Sequence, residues 1–325
     1  MADETRVAFV GAGGMARSHM GNLTDVGGVD IVAICDVAED VANEVAAEHE
    51  ATAYTDYRKM LDEIEADAVY VVVPPGYHED AEVLAVRKGC HLFVEKPVVL
   101  DMDKGYEIAE AIDKAGVLSC VGYQLRLFDA TQRARKYLAT RTIGMVSSHR
   151  WGGFPGTPWW RVMARSGGQL HEQTTHQVDL MRYLAGEIVE VHAYYSLRVM
   201  TDVEGLDIPD CQGVILKFHD GAVGMCVTSP MMRQGGGLSD LKFLVEDHIL
   251  EWNLAGNILQ PDDDEEVTAE PEEAKTIDAA FMAAVRAGDS AAIPCSYRSG
   301  LQTSAVSLAA NASARTGKPV AVPMV

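Results

Sequence analysis

Between residues 7 and 122 the chain alternates short, almost wholly apolar runs with longer stretches whose apolar residues recur at helical spacing. The apolar runs fall at 7–10, 31–35, 68–73, 92–94 and 118–121. Runs apolar at every position suit strands buried on both faces, because a half-exposed strand would alternate with period two. Helical patterns lie between them at 41–48, 57–63, 78–88 before Gly89, and 102–115 before Gly116. The two glycines stand where a helix commonly ends in a left-handed residue. Repeated strand–helix units of this kind predict a doubly wound parallel sheet, a Rossmann-type α/β domain over residues 1–123.

Beyond Gly122 the rhythm changes. A helix pattern at 128–138 and a strand at 145–151 lead into an irregular Gly/Pro/Trp stretch and a helix over about 170–184. Strand runs follow at 189–197, 214–218, 222–228, 241–246 and 249–254, with Asp220-Gly221 and Asp247-His248 as hairpin turns. Turn-length connections between successive strands predict a large, mainly antiparallel open sheet, so residues 124–325 read as an α+β domain. Amphipathic stretches at 277–287 and 299–316 close the chain, the last a candidate to pack back on the first domain.

Composition narrows the class of partner. A chain of 325 residues with 48% hydrophobic content fits two ordinary cores. Its 27 Lys and Arg against 48 Asp and Glu give a formal charge of −21, which repels phosphate backbones and anionic headgroups. Nucleic acid and membrane are therefore not expected partners. The acidic run Asp262 to Glu266 reads as a solvated loop rather than a metal site. Six cysteines without a Cys-x-x-Cys pair read as reduced thiols, which favours a cytoplasmic setting, and no run approaches the roughly 20 apolar residues of a membrane span.

Gly11-Ala12-Gly13-Gly14-Met15-Ala16 follows the first apolar run and opens a helix, the context that makes a glycine pattern a dinucleotide fingerprint. Gly11 permits the tight turn, Gly13 lets backbone approach a pyrophosphate, and Ala16 keeps helix and strand close. The free N–H groups of the helix start, at Gly14 and Met15, suit the phosphates. Asp36 ends the second strand, where a carboxylate accepts a ribose 2′-OH and repels a 2′-phosphate, and no Arg or Lys follows in Val37-Ala38-Glu39-Asp40. NAD is thus expected in preference to NADP. Pro74 and Pro75 stiffen a turn at the sheet's carboxyl edge that could flank the nicotinamide ribose, with His78 opening the next helix either in contact with the cofactor or as a cap or surface residue.

Two further segments carry chemistry. Lys96, between Glu95 and Pro97, ends the run 91–94 and places an ammonium at the carboxyl edge where open α/β folds hold their ligands. Glu172, His176 and Asp179 are spaced to share one helix face, whereas His171 and His176 are five apart, unlike the His-Glu-x-x-His of zinc peptidases, so no metal site is expected.

Taken together, Gly11-x-Gly13-x-x-Ala16, Pro74-Pro75-x-x-His78, Glu95-Lys96-Pro97, Gly122-Tyr123-Gln124-x-Arg126 and Gly167-Gly168 followed by Glu172, His176 and Asp179 resemble the glucose-fructose oxidoreductase / inositol dehydrogenase family, Gfo/Idh/MocA. The resemblance implies NAD(P)-linked oxidation or reduction of sugars, polyols and related cyclic alcohols, in homodimers or homotetramers built through the C-terminal sheet. It implies Lys96 near the nicotinamide, bonded to the reacting oxygen, and His176 as general acid/base, an imidazole that titrates near neutral pH. Glu172 stands where the family usually has Asp, one methylene longer, to orient His176 or touch a substrate hydroxyl. Glu95 and Gln124 are implied at the cofactor, Arg126 at the substrate if its side chain points inward, and Asp179 either at the substrate or in a structural hydrogen bond. One or more of Trp151, Trp159 and Trp160 are candidates to wall a sugar pocket, since aromatic faces stack on C–H surfaces, with core packing or an oligomer contact as the alternative. Redox-neutral use of NAD in glycoside cleavage or epimerisation, and a non-catalytic NAD or sugar sensor, remain alternative readings on the same fold.

Overall fold

The structure, a computed structural model, describes residues 4–246, 248–253, 258–259 and 276–325. Asp247 and the acidic run Asp262 to Glu266 lie outside the described residues. The chain divides into two compact units, Met1–Tyr123 with Lys275–Gly300, and Gln124–Ala274 with Leu301–Val325.

In the first unit the strands are β1 (Thr5–Val10), β2 (Val29–Cys35), β3 (Thr52–Tyr54), β4 (Ala68–Val71), β5 (His91–Val94) and β6 (Ser119–Val121). All pair in parallel in the order β3-β2-β1-β4-β5-β6, the doubly wound arrangement expected. The intervening helices are α1 (Gly14–Val26), α2 (Glu39–Glu48), α3 (Tyr57–Glu63), α4 (Ala81–Arg87) and α5 (Met102–Ala115). Every residue of β4 is buried, as are the last four of β1 and the last three of β5. Each such Val, Leu or Phe contributes about 1.5–3 kcal/mol by leaving water.

Two local features depart from expectation. β3 is only three residues long, and none of its residues is fully buried, so no apolar run announced it. The helix expected from His78 begins instead at Ala81, because Pro74-Pro75 set a 3-10 turn over Pro75–Tyr77.

Residues 276–300 complete the first unit. Helix α10 (Ile277–Ala287) lies against α1, and Arg286 donates to the Gly27 and Gly28 carbonyls at 2.7 Å each. The Cys295 carbonyl accepts from Val121 N–H at 2.9 Å, covering the β6 edge of the sheet.

At the centre of this contact sits His19 on α1, 4% exposed. Its Nδ1 lies 2.8 Å from Asp278 Oδ1 on α10 and its Nε2 3.1 Å from Glu95 Oε1 at the end of β5. Asn22 donates to the other Asp278 oxygen at 2.7 Å. Burial alone would lower the His19 pKa, but the hydrogen bonds and charges of Asp278 and Glu95 outweigh it and raise the value from 6.5 to about 9.

The second unit is built on an eight-stranded sheet in the order β13-β12-β11-β7-β10-β9-β8-β14. Its strands are β7 (Ile143–Trp151), β8 (Ile188–Ser196), β9 (Cys211–Phe218), β10 (Val223–Ser229), β11 (Leu238–Val245), β12 (His248–Asn253), β13 (Ile258–Leu259) and β14 (Val320–Ala321). Every pairing is antiparallel except the central one, β7 with β10. Alternation along the strands buries one face, including Val146, Leu216, Cys226, Phe243 and Trp252. Helices α6 (Asp129–Leu138) and α9 (Thr175–Ala185) cover that face, with Trp252 donating to Thr131 Oγ1 at 3.0 Å. The short helices α7 (Met163–Ser166) and α8 (Gln169–Glu172) precede α9, and α11 (Tyr297–Thr316) ends the helical set.

The raised His19 pKa fixes a pH dependence. The imidazolium's stabilisation is complete below about pH 6.5, the unfolded value, and is lost as pH rises through about 9. His19→Gln is expected to cost on the order of 3 kcal/mol near pH 6 and much less above pH 9. Urea denaturation of both proteins at the two pH values checks this; a gap independent of pH counts against a charged His19.

Candidate active site

The glycine turn is built as its sequence requires. Gly11 has φ +106°, and a Cβ there would stand 2.2 Å from the Val72 carbonyl oxygen, so only glycine lets β1 turn beside β4. Gly13, Gly14 and Met15 are exposed at the start of α1, and a Cβ on either glycine meets nothing within 4 Å. The helix thus opens on accessible backbone that leaves room for a phosphate-sized anion, while Ala16 is fully buried against the sheet. Asp36, half-buried after β2, accepts from Ala12 N–H at 3.0 Å and from Ala38 N–H at 3.0 Å. Its carboxylate is held beside the turn, where a ribose would follow a pyrophosphate on Gly13. These residues fit a dinucleotide.

Lys96 follows β5, two strands across the sheet from β1, so lysine and glycine turn share the carboxyl edge. The side chain is half-buried and its peptide bond to Pro97 is cis. Glu95 lies differently from the cofactor contact expected of it. Its Oε2 accepts from Lys96 N–H at 3.0 Å, its Oε1 meets His19, and a Cβ on Gly122 would collide with it. The buried carboxylate therefore holds the lysine's backbone from within.

His78 also points inward, in contrast to its expected place at the cofactor. Its Nε2 lies 3.0 Å from the Val73 carbonyl and its Nδ1 2.5 Å from buried Glu82, and the ring is 6% exposed. Burial would lower its pKa, and the charge of Glu82 overcomes this and raises it. Pro75 is buried and Pro74 half-buried in the same turn.

In the second unit the helix expected over 170–184 is broken. α8 ends at Glu172, Gln173 and Thr174 form a turn, and α9 starts at Thr175. Glu172 and His176 therefore flank a turn, and the common helix face anticipated for them does not form. Glu172 is buried and accepts from Gln173 Nε2 at 2.8 Å, while His176 is half-buried on the first turn of α9. His171 is fully buried with Nδ1 2.6 Å from Ser307 Oγ, which removes it from any open site.

Arg126 and Asp179, each a candidate for the substrate, hold each other, which gives Asp179 the structural hydrogen bond that was its alternative reading. The guanidinium donates through two nitrogens to the carboxylate at 2.8 and 2.6 Å, Thr303 adds a third bond at 2.9 Å, and the pair is 6% and 1% exposed. A bidentate pair so buried costs about 3–5 kcal/mol to break, so contact with substrate would require opening it. Gln124 is half-buried in the 3-10 turn that leads to Arg126.

The tryptophans separate. Trp160 is fully buried, edge-on to Phe154 at 5.4 Å, and so takes the core-packing alternative and not the pocket wall. Trp159 is half-buried, and Trp151 is 43% exposed at the end of β7, edge-on to His149.

Sequence reasoning missed His19, Asp278, Glu82 and Arg150. A signal existed for His19: Ala16, Met20 and Leu23 mark the buried face of α1, and residue 19 falls on it. A polar side chain at such a position needs buried partners. Asp278 lies 259 residues away, and nothing local pointed to it.

Among the described residues no helix is long and apolar enough to cross a membrane. Residues 5–123 match the family described as "Oxidoreductase family, NAD-binding Rossmann fold", and residues 131–245 the "GFO/IDH/MocA C-terminal domain". The chain is 29% identical over 230 residues to scyllo-inositol 2-dehydrogenase (NAD(+)) of Bacillus subtilis, an alignment spanning 69% of this chain and 67% of that one. It is 28% identical over 227 residues to myo-inositol 2-dehydrogenase of Thermotoga maritima, spanning 68% and 67%. Among solved structures, the WlbA dehydrogenase of Bordetella pertussis in complex with NADH and UDP-GlcNAcA shares the fold, with a TM-score of 0.85, 24% identity, and coverage of 99% of this chain and 100% of that one. With both of its units matched, the chain belongs to the GFO/IDH/MocA oxidoreductase family.

Proposed function

We propose that this protein is an NAD-dependent dehydrogenase acting on a secondary hydroxyl of a sugar, polyol or sugar-like cyclic alcohol. The observation that carries the reading is the placement of Lys96 at the carboxyl edge that also holds the open glycine turn. The inositol dehydrogenases among its relatives support the substrate class.

Gly13, Gly14 and Met15 would hold the pyrophosphate through backbone N–H groups, and Asp36 would accept the adenosine ribose hydroxyls. When bound, nicotinamide accepts or returns the hydride of the carbinol carbon. Lys96 donates a hydrogen bond to the carbinol oxygen and stabilises the charge that grows on it. His176 takes the hydroxyl proton in oxidation and returns it in reduction, with Glu172 beside the same turn as the carboxylate that orients it. Glu95 sets the Lys96 backbone from its buried side.

We also infer a homodimer or homotetramer formed through the exposed sheet face. Ile249, Leu244, Met145 and Val223 stand in register across four strands of that face, each at least 41% exposed. A continuous apolar row of this kind marks an interaction surface. The acidic charge of the chain favours solubility, and its six free cysteines support a cytoplasmic setting.

Three measurements test this reading. Lys96→Met is expected to lower kcat/KM roughly 10²- to 10³-fold on any alcohol oxidised, with NAD affinity unchanged by calorimetry. Wild-type turnover in that variant, or no NADH absorbance across a panel of inositols, sugars and sugar acids, defeats the assignment. Asp36→Ala is expected to raise the KM for NAD about tenfold while leaving that for NADP nearly constant. Light scattering after size exclusion is expected to give a dimer or tetramer that Ile215→Asp, on the same face, dissociates; a wild-type monomer at all concentrations argues against the interface.

A further inference from the structure

Arg150, on β7, lies outside the motifs that carry the family resemblance. It projects from the strand's covered face beside the α8–α9 turn, where its Nη2 lies 3.4 Å from Gln173 Oε1. That long bond is the only hydrogen bond its guanidinium makes among the described residues, although the group offers five N–H donors. Glu172 attracts it at longer range: burial lowers the Arg150 pKa and the Glu172 charge opposes that fall. Arg150 is thus partly desolvated yet far from satisfied.

The surroundings give that cation a cleft. Arg150 lines an open depression in the second unit with Gly152, Gly153, Gly236, Gly237 and Asn253 among its walls, and no other charged side chain among the described residues borders it. Gly152 makes the space: a Cβ there would stand 2.0 Å from Arg150 Nη1. Gly237, at φ +135°, brings its backbone so close to Trp151 that a Cβ would lie 2.3 Å from the Trp151 carbonyl oxygen. Four glycines remove side chains from the walls and leave one under-used guanidinium facing the opening. In a chain of net charge −21, a cleft whose charged lining among the described residues is a single cation is selective for anions.

From this geometry we propose that Arg150 is the specificity-determining residue of the substrate site and that the substrate carries an anionic group, a carboxylate or a phosphate monoester, which the guanidinium binds as a fork. The proposal rests on the dehydrogenase reading for the identity of the ligand as a substrate, and names its class. The chain Arg150, Gln173, Glu172 then links anion recognition to the turn that bears His176. Lys could not replace Arg there without losing the paired donors.

Calorimetric titration of the NAD-loaded protein with D-glucuronate, D-glucose 6-phosphate and D-glucose tests the assignment without requiring turnover. At least one anionic probe is expected to bind about tenfold or more tightly than D-glucose, and its identity tells carboxylate from phosphate. Arg150→Met should abolish that preference, bringing the anionic probes to the affinity of D-glucose, and Arg150→Lys should retain only part of it. Should Arg150→Met fail to fold, the wild-type preference is expected to fall as NaCl is raised, and Gly152→Ala, which displaces the guanidinium, is expected to weaken it. Equal affinity for all three probes, absence of binding by either anion, or an anion preference intact in Arg150→Met overturns the proposal. Arg150-dependent binding without NADH formation on any alcohol would sink the dehydrogenase reading alone.

Discussion

The first unit is organised around one buried cation. His19 sits between two carboxylates, and each comes from a different part of the chain: Glu95 from the end of β5 and Asp278 from α10. Burying an ion is costly unless partners satisfy it, and here both ring nitrogens are engaged. The consequence is geometric. With Oε1 held by His19, the second Glu95 oxygen is aimed at Lys96 N–H, so the backbone of the proposed catalytic lysine is fixed by a charge network on its buried side.

The second unit uses the same device in a different place. Arg126, Asp179 and Thr303 form a closed polar cluster that ties the segment after β6 to α9 and α11. This anchors the first turns of α9, where His176 lies, to surroundings with little freedom. Charged residues near a proposed site therefore divide into two kinds. Those with both ends satisfied by protein, such as Glu95 and Asp179, position others, and those left with capacity to spare, such as Arg150, are available to a ligand.

Much of this was legible in the sequence because the strongest signals are local. The apolar runs of β1, β4 and β5 needed no partner to be recognised, and Gly11 to Ala16 declared its turn by following one of them. The features that escaped were set by tertiary contact. β3 exists because β2 offers it an edge, not because Thr52-Ala53-Tyr54 has a pattern of its own. The break between α8 and α9 is invisible to a periodicity that continues through it. Arg126 and Asp179 belong to two separate family motifs, each open to a substrate role, and only their distance in space reveals that they satisfy each other. The same holds for His78, whose partner Glu82 is four residues away but whose burial is not encoded locally.

Asp278 has a further consequence for how the chain is put together. It reaches the nucleotide-binding unit from 259 residues downstream of His19, after all but the last strand of the second unit's sheet has been laid down, and the chain then returns to that second unit at Leu301. The two units are therefore interleaved in sequence. A fragment cut at Tyr123 would keep every glycine of its fingerprint and still leave a buried imidazole with one of its two counter-charges missing. Ribosomal synthesis meets the same constraint, since the nucleotide-binding unit cannot acquire this buried partner until more than four-fifths of the chain has been made.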